Sequence, residues 1–198
     1  MPVLSDRVGT FTDSVIRRMT RINNQYDSIN LSQGFPDFDP PQQLLDALAK
    51  TAYNGPHQYA VTFGAQNFRE ALAKKTSPAL HHEVDPNTEV CVTCGGTEAM
   101  MAAMMTICNP GDKVMIFSPF YENYGADAIL SGAEPIYIPL VPPTYEFDIS
   151  LIEKGFAEGA KALILCNPSN PCGKVFRRDE LEAIAKLAIQ YDAFVVTD

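Results

Sequence analysis

The sequence predicts an α/β protein with a mainly parallel sheet, and three observations carry the prediction. Short apolar runs, Glu89–Thr93, Lys113–Phe117, Ala162–Cys166 and Ala193–Thr197, have strand length and stop at turn residues. Helical apolar spacing fills the gaps, in Glu98–Cys108 and in a segment through Leu181, Ile184, Leu187 and Ala188 that Asp179 is placed to cap. Strand and helix alternating in this way argue for crossover connections and so for parallel pairing. Finally, each run ends in residues suited to holding a ligand, at the edge where open parallel sheets bind theirs.

Ahead of this alternation, Asp13–Asn23 reads as a short amphipathic helix. Val15, Ile16, Met19 and Ile22 share one face, with Arg17, Arg18 and Arg21 on the other. Residues 27–41 form an irregular segment rich in Asp, Gly and Pro. Pro41–Tyr53 predicts a second helix with proline at its first position and Leu44, Leu45, Leu48 and Ala52 facing inward. A third helix runs over Gln66–Lys75. Glu134–Leu140 supplies one more strand, and Pro135 and Pro139 put it at a sheet edge.

With 198 residues, 46% hydrophobic and 20% charged, the chain is long enough for one or two globular domains. A net charge of −9 argues against nucleic acid or an anionic membrane as partner, and colloidal solubility accounts for it. No run reaches transmembrane length. Met1–Met19 carries Asp6 and Asp13 without an apolar core, so it does not read as a signal peptide, and a cytoplasmic location is expected. The five cysteines, 91, 94, 108, 166 and 172, are an odd number and disfavour a disulfide framework. Cys91 and Cys94 have the spacing of a redox or zinc pair, but residues three apart on a strand point to opposite faces. They are expected to be small buried side chains. His57, His81 and His82 have no matched partner, and no metal cluster is visible.

The ends of the runs carry the chemistry. Asn167-Pro168-Ser169-Asn170-Pro171-Cys172-Gly173 holds the chain in turns and presents two amide side chains on a rigid loop. Gly95-Gly96-Thr97 precedes a helix whose first amides and positive dipole end suit a phosphate, although the same residues could simply cap a core helix. The third glycine of a dinucleotide loop is missing, which disfavours a nucleotide-binding module. Pro119-Phe120-Tyr121 brings aromatics that serve equally well in a core, and Asp198 brings a carboxylate that alone would read as a turn cap. Anion cradle, aromatic, amide and carboxylate together fit a flat, phosphorylated heteroaromatic ligand with a basic ring nitrogen. Pyridoxal 5′-phosphate is such a ligand.

These motifs carry a family resemblance. Leu31-Ser32-Gln33-Gly34-Phe35-Pro36-Asp37-Phe38, Tyr59 with Gly64 and Arg69, Gly95-Gly96-Thr97-Glu98-Ala99, Pro119-Phe120-Tyr121, the double Asn-Pro loop and Val195-Val196-Thr197-Asp198 stand in one order. That order resembles the N-terminal half of a class I pyridoxal-phosphate-dependent aminotransferase of fold type I. The resemblance implies residues 1–40 as an N-terminal arm and small-domain segment. Residues 41–198 would be the cofactor-binding large domain, with helices on both faces and strands from beyond residue 198 completing its sheet. By resemblance, Gly95, Gly96 and Thr97 wrap the cofactor phosphate, and Tyr121 stacks on the pyridine ring. Asn170 bonds the ring's phenolic oxygen and helps to hold the substrate carboxylate. Asp198 keeps the ring nitrogen protonated, so that the ring draws electrons from the substrate. Gly34 would bring its backbone amide against the substrate carboxylate. Tyr59 would reach across a homodimer interface to the neighbour's phosphate. The implied substrates are an amino acid and a 2-oxo acid. Residues 31–39 are similar to the branch of kynurenine, glutamine and methionine aminotransferases, which also holds carbon–sulfur β-lyases.

The departures matter equally. By resemblance, the family's Schiff-base lysine and C-terminal arginine clamp would lie beyond residue 198. None of lysines 50, 74, 75, 113, 154, 161, 174 and 186 sits in the family's lysine-bearing loop, so no catalytic residue is assigned. Lys174, next to the expected site, reads as solvated. The run Glu89–Thr93 would lack its lateral partners. The expectation is a truncated chain or split reading frame that is inactive alone. A non-catalytic remnant serving as an interaction module is the competing reading.

Overall fold

In the computed structural model, which describes residues 2–10 and 14–198, four strands form one sheet in the order β2–β1–β3–β4. They are β1 (Lys113–Ser118), β2 (Glu134–Pro139), β3 (Ala160–Leu165) and β4 (Phe194–Thr197), and every pairing is parallel. Helices α4 (Gly95–Ile107), α5 (Asn123–Leu130), α6 (Ile149–Ala157) and α7 (Arg178–Gln190) each precede one strand. The expected α/β alternation and parallel sheet are thus present. β2 lies at an edge, where the missing N–H groups of Pro135 and Pro139 are tolerated.

The alternation of side chains along a strand explains why both faces are covered. Val114, Ile116, Ala162 and Ile164 pack on one face with Met100 and Met104 of α4 and with Tyr124 and Ala128 of α5. Met115, Phe117, Leu163 and Leu165 pack on the other with Ile152 and Phe156 of α6 and with Ile184 and Ala188 of α7. β1 and β3 are therefore apolar at nearly every position, as a doubly covered parallel sheet demands. Gly155 lets α6 settle on β1, since a Cβ there would lie 2.2 Å from the Met115 sulfur.

Asp127 of α5 is only 3% exposed, and its Oδ2 has no hydrogen-bond partner. Desolvation pushes its carboxyl up to about 6. A folded-state value above the unfolded one means stability present at low pH is lost as the pH rises towards 6. Asp127→Asn should abolish that loss and stabilise the protein at pH 8 by about 3 kcal/mol. Denaturation at pH 4 and pH 8 checks this, and equal stabilities for both proteins at pH 8 would count against the assignment.

By contact pattern the chain forms two units, one made of the described part of Met1–Thr12 with Cys94–Asp198, the other of Asp13–Thr93. In the first, Arg7 Nη1 donates to the Leu130 carbonyl at 3.1 Å. The second contains α1 (Val15–Tyr26), α2 (Gln42–Asn54) and α3 (Gln66–Leu80). Ser14 Oγ caps α1 by accepting from Arg17 N at 3.3 Å, while the expected start at Asp13 lies outside the described residues. Arg69, 6% exposed, donates to the carbonyls of Gly64 and Pro86 and to Gln66 Oε1, which ties the start of α3 to the turn at residue 86.

Four expectations are corrected. Glu89–Thr93 is not a strand. An extended segment becomes one only beside a partner, and here Val92 N donates to Phe63 O at 3.0 Å instead of entering a ladder. Cys91 and Cys94 are consequently exposed rather than buried. On α2, Leu44 and Leu48 are 60% and 67% exposed, so the face expected to point inward is uncovered in this chain. Finally, Glu180 rather than Asp179 caps α7. Its Oε2 accepts from Arg177 N at 2.7 Å, three residues back, as a capping-box glutamate does. Asp179 instead pairs with the Arg177 side chain, whose hydrogen bond holds its carboxyl below the usual range.

Candidate active site

The parallel sheet brings the ends of β1, β3 and β4 to one edge, and the start of α4 joins them there. A cavity of about 270 Å³ opens at this place, lined by Gly96, Thr97, Met100, Tyr121, Asn123, Tyr124 and Asp198. One end is the first turn of α4, where amide N–H groups have no intrahelical acceptors and the dipole favours an anion. Gly95 begins that turn at φ +83°, a left-handed conformation that L side chains rarely adopt. Hypothetical Cβ atoms at Gly95 and Gly96 would meet nothing within 4 Å, so the glycines leave open space over the helix start. The helix begins at Gly95 itself, which places Thr97 inside the first turn and makes Cys94 the capping residue.

Thr97 Oγ1 accepts a hydrogen bond from Asn123 Nδ2 at 2.8 Å. With its oxygen engaged by a donor, the hydroxyl proton remains to be donated into the cavity. Glu98 turns its carboxylate back onto the Cys94 amide. Tyr121 and Tyr124 stand edge to face, with ring centroids 5.7 Å apart and planes at 78°.

Asp198 is held by its main chain. Its N–H donates to Leu165 O, and its own main-chain oxygen accepts from Asn167 N, both at 3.0 Å, which extends the β3–β4 ladder past Thr197. Its Oδ2 accepts a hydrogen bond from the Tyr124 hydroxyl. Burial of that phenol, then the hydrogen bond to Asp198, raise the Tyr124 pKa far above its ordinary value, so Tyr124 stays a donor.

Asn170 lines a much smaller adjoining cavity with Ser169, Cys166 and Tyr124. Its main-chain N–H donates to Cys166 Sγ, with nitrogen and sulfur 3.4 Å apart. Asn167 has a structural role, its Oδ1 accepting from Phe176 N at 3.1 Å. Lys174 overturns its expected solvation. It is 8% exposed, its ammonium lies 3.0 Å from Glu180 Oε1, and it sits over the rings of Phe147 and Phe176. The cause is tertiary, because two aromatics cover a side chain that local pattern would leave in water.

Gly96, Thr97, Tyr121 and Asp198 therefore meet in one cavity, with Gly95 at its edge and Asn170 next to it. Gly34 and Tyr59 belong to the other unit, where both are exposed, Tyr59 to 94%. Asn123 and Tyr124 were not among the expected site residues. The one available signal was their position just after Pro119-Phe120-Tyr121.

Residues 26–198 match the family model for aminotransferases of class I and II, and the chain belongs to that family. It is 34% identical to the methionine aminotransferase of Escherichia coli over 93% of its own length, and 34% identical to human kynurenine–oxoglutarate transaminase 1 over 90%. The solved structure of N-succinyldiaminopimelate aminotransferase from Mycobacterium tuberculosis superposes with a TM-score of 0.91 at 33% identity, covering 99% of this chain. The chain spans about half of each relative: 48%, 45% and 52% respectively. The family uses pyridoxal phosphate. The cavity's donor set fits that group, with a helix start and a hydroxyl for a phosphate, an aromatic wall, and a carboxylate for a basic nitrogen.

Proposed function

We propose that this chain forms the N-terminal half of a pyridoxal-phosphate-dependent aminotransferase moving an amino group from an amino acid to a 2-oxo acid. The observation that carries the reading is the cavity that joins the start of α4 and Thr97 to Asp198 along the wall made by Tyr121. When bound, the cofactor supplies an electron sink for the carbon bearing the amino group.

The chain's residues do the holding. The first-turn amides of α4 and the Thr97 hydroxyl bind the phosphate, and Asn123 sets the direction in which that hydroxyl donates. Tyr121 restrains the ring against rotation. Asp198 holds a proton on the ring nitrogen, while Tyr124 fixes the rotamer of its carboxylate. Asn170 donates to the phenolic oxygen and to the substrate carboxylate. The test is incubation of the intact enzyme with ¹⁵N-labelled amino acids and unlabelled 2-oxo acids. Label should appear in the amino acid derived from the 2-oxo acid. Label released only as ammonium would replace this reading with that of a lyase.

The same reading includes a cytoplasmic homodimer, with residues 1–40 as arm and small-domain segment and 41–198 in the large domain. Tyr59 would complete the partner's phosphate site, and its 94% exposure is consistent with a side chain awaiting a neighbour. Sedimentation should find the active enzyme dimeric, and Tyr59→Phe should weaken cofactor affinity about tenfold, the loss of one hydrogen bond to a charged group. An active, cofactor-loaded monomer would contradict this.

A further inference from the structure

We infer that Lys174 and Glu180 are positioning residues for Asn170: their buried ion pair clamps the Asn-Pro loop to the start of α7 and fixes where that loop meets the ligand. The inference rests on the function proposed above and adds residues that do not line the cavity.

The pair is buried on both sides, with side-chain exposures of 5% and 9% and a separation of 3.0 Å. Glu180 binds three groups at once. Its Oε1 accepts from Lys174 Nζ and pairs with Arg177 Nη1 at 3.4 Å, and its Oε2 accepts from Arg177 N at the head of α7. Lys174 in turn is bound into the loop by its main chain, its carbonyl accepting from Ser169 N at 2.8 Å. Gly173 N donates to Ser169 O at 2.7 Å, and Phe176 N donates to Asn167 Oδ1. Ser169, which precedes Asn170, thus connects through Lys174 and Glu180 to a helix anchored in the core by Ile184 and Ala188.

Stability alone does not call for these charges. A buried ion pair commonly contributes no more than an apolar pair of similar volume. Phe147 and Phe176, whose ring centroids lie 5.7 Å and 5.0 Å from the ammonium, would pack equally well on a methionine. What an apolar pair lacks is direction. The ammonium is satisfied only where the carboxylate is, so the loop has one register relative to α7, whereas a methionine tolerates several.

The double variant K174M/E180Q separates positioning from stability. Glutamine keeps an acceptor for Arg177 N, and methionine fills the space under the rings, so the thermal midpoint should stay within a few degrees of wild type. The probe is 4′-deoxypyridoxine 5′-phosphate, which lacks the aldehyde and so reports the non-covalent contacts without any lysine. Its affinity for the intact enzyme should fall about tenfold, as expected when one hydrogen bond to the ring's phenolic oxygen is lost. Hydrogen exchange at the Ser169 and Gly173 amides should quicken by a similar factor, with β1 and β3 unchanged. Should the double variant fail to fold, E180Q alone carries the same two readouts. Wild-type affinity with unchanged loop exchange overturns the inference. So does a lowered midpoint with probe affinity intact, since that is a merely structural role. Failure of the wild type to bind the probe would instead overturn the functional reading.

Discussion

Replacing Asp198 by alanine in the intact enzyme is expected to lower kcat/KM by about a thousandfold, the scale on which a preorganised electrostatic contact acts. The fold should survive, because the ladder bonds to Leu165 and Asn167 use only the main chain of Asp198. What the side chain leaves behind is the Tyr124 hydroxyl, half of a hydrogen bond in a part-buried place. Orphaning that donor should destabilise by about 1–3 kcal/mol. Asp198→Asn isolates the charge, since the amide oxygen still accepts from Tyr124 but cannot hold a proton on a ring nitrogen. It should therefore keep wild-type stability and still lose activity about as severely. Turnover near wild type in either variant would remove Asp198 from the account.

The 198-residue chain on its own is expected to show no aminotransferase activity and no absorbance of a lysine-bound cofactor. The reason lies in where the lysines stand. None lines the cavity. Lys174 is bound to Glu180 beneath two aromatic rings, Lys161 pairs with Asp112 at 3.2 Å, and Lys113 reaches the Glu158 carbonyl at 3.4 Å. A neutral amine at the reacting carbon is therefore not available from the first unit. The sheet gives an independent reason. β4 stands at an edge with Phe194 51% exposed, an open ladder that favours association with other chains. Borohydride treatment with pyridoxal phosphate, followed by mass spectrometry, decides the matter. A single modified lysine accompanied by turnover of any amino acid would overturn the prediction.

Much of the fold was legible because it depends on local period. Runs such as Val114–Phe117 and Ala162–Leu165 are apolar at every step, and the structure buries both sides of each. The edge position of β2 followed from two prolines, and the cavity's place from turn residues after parallel strands. Contacts between distant residues were not legible. Tyr124 meets Asp198 across 74 positions and Asn123 meets Thr97 across 26, so no window of sequence contains either pair. Lys174 was misread for the same reason, since a lysine after a glycine looks solvated until Phe147 covers it. Glu89–Thr93 failed in the opposite sense. Its composition suits a strand, but strands exist only in pairs, and composition names no partner.

The most direct measurement of the central claim is the protonation state of the ligand's ring nitrogen. Ring-¹⁵N-labelled 4′-deoxypyridoxine 5′-phosphate, bound to the intact enzyme at pH 8, reports it by nitrogen chemical shift. The account predicts a protonated nitrogen in the wild type and an unprotonated one in Asp198→Ala, with the phosphate still bound at the start of α4. A nitrogen that is unprotonated in the wild type, or that stays protonated without Asp198, would contradict it.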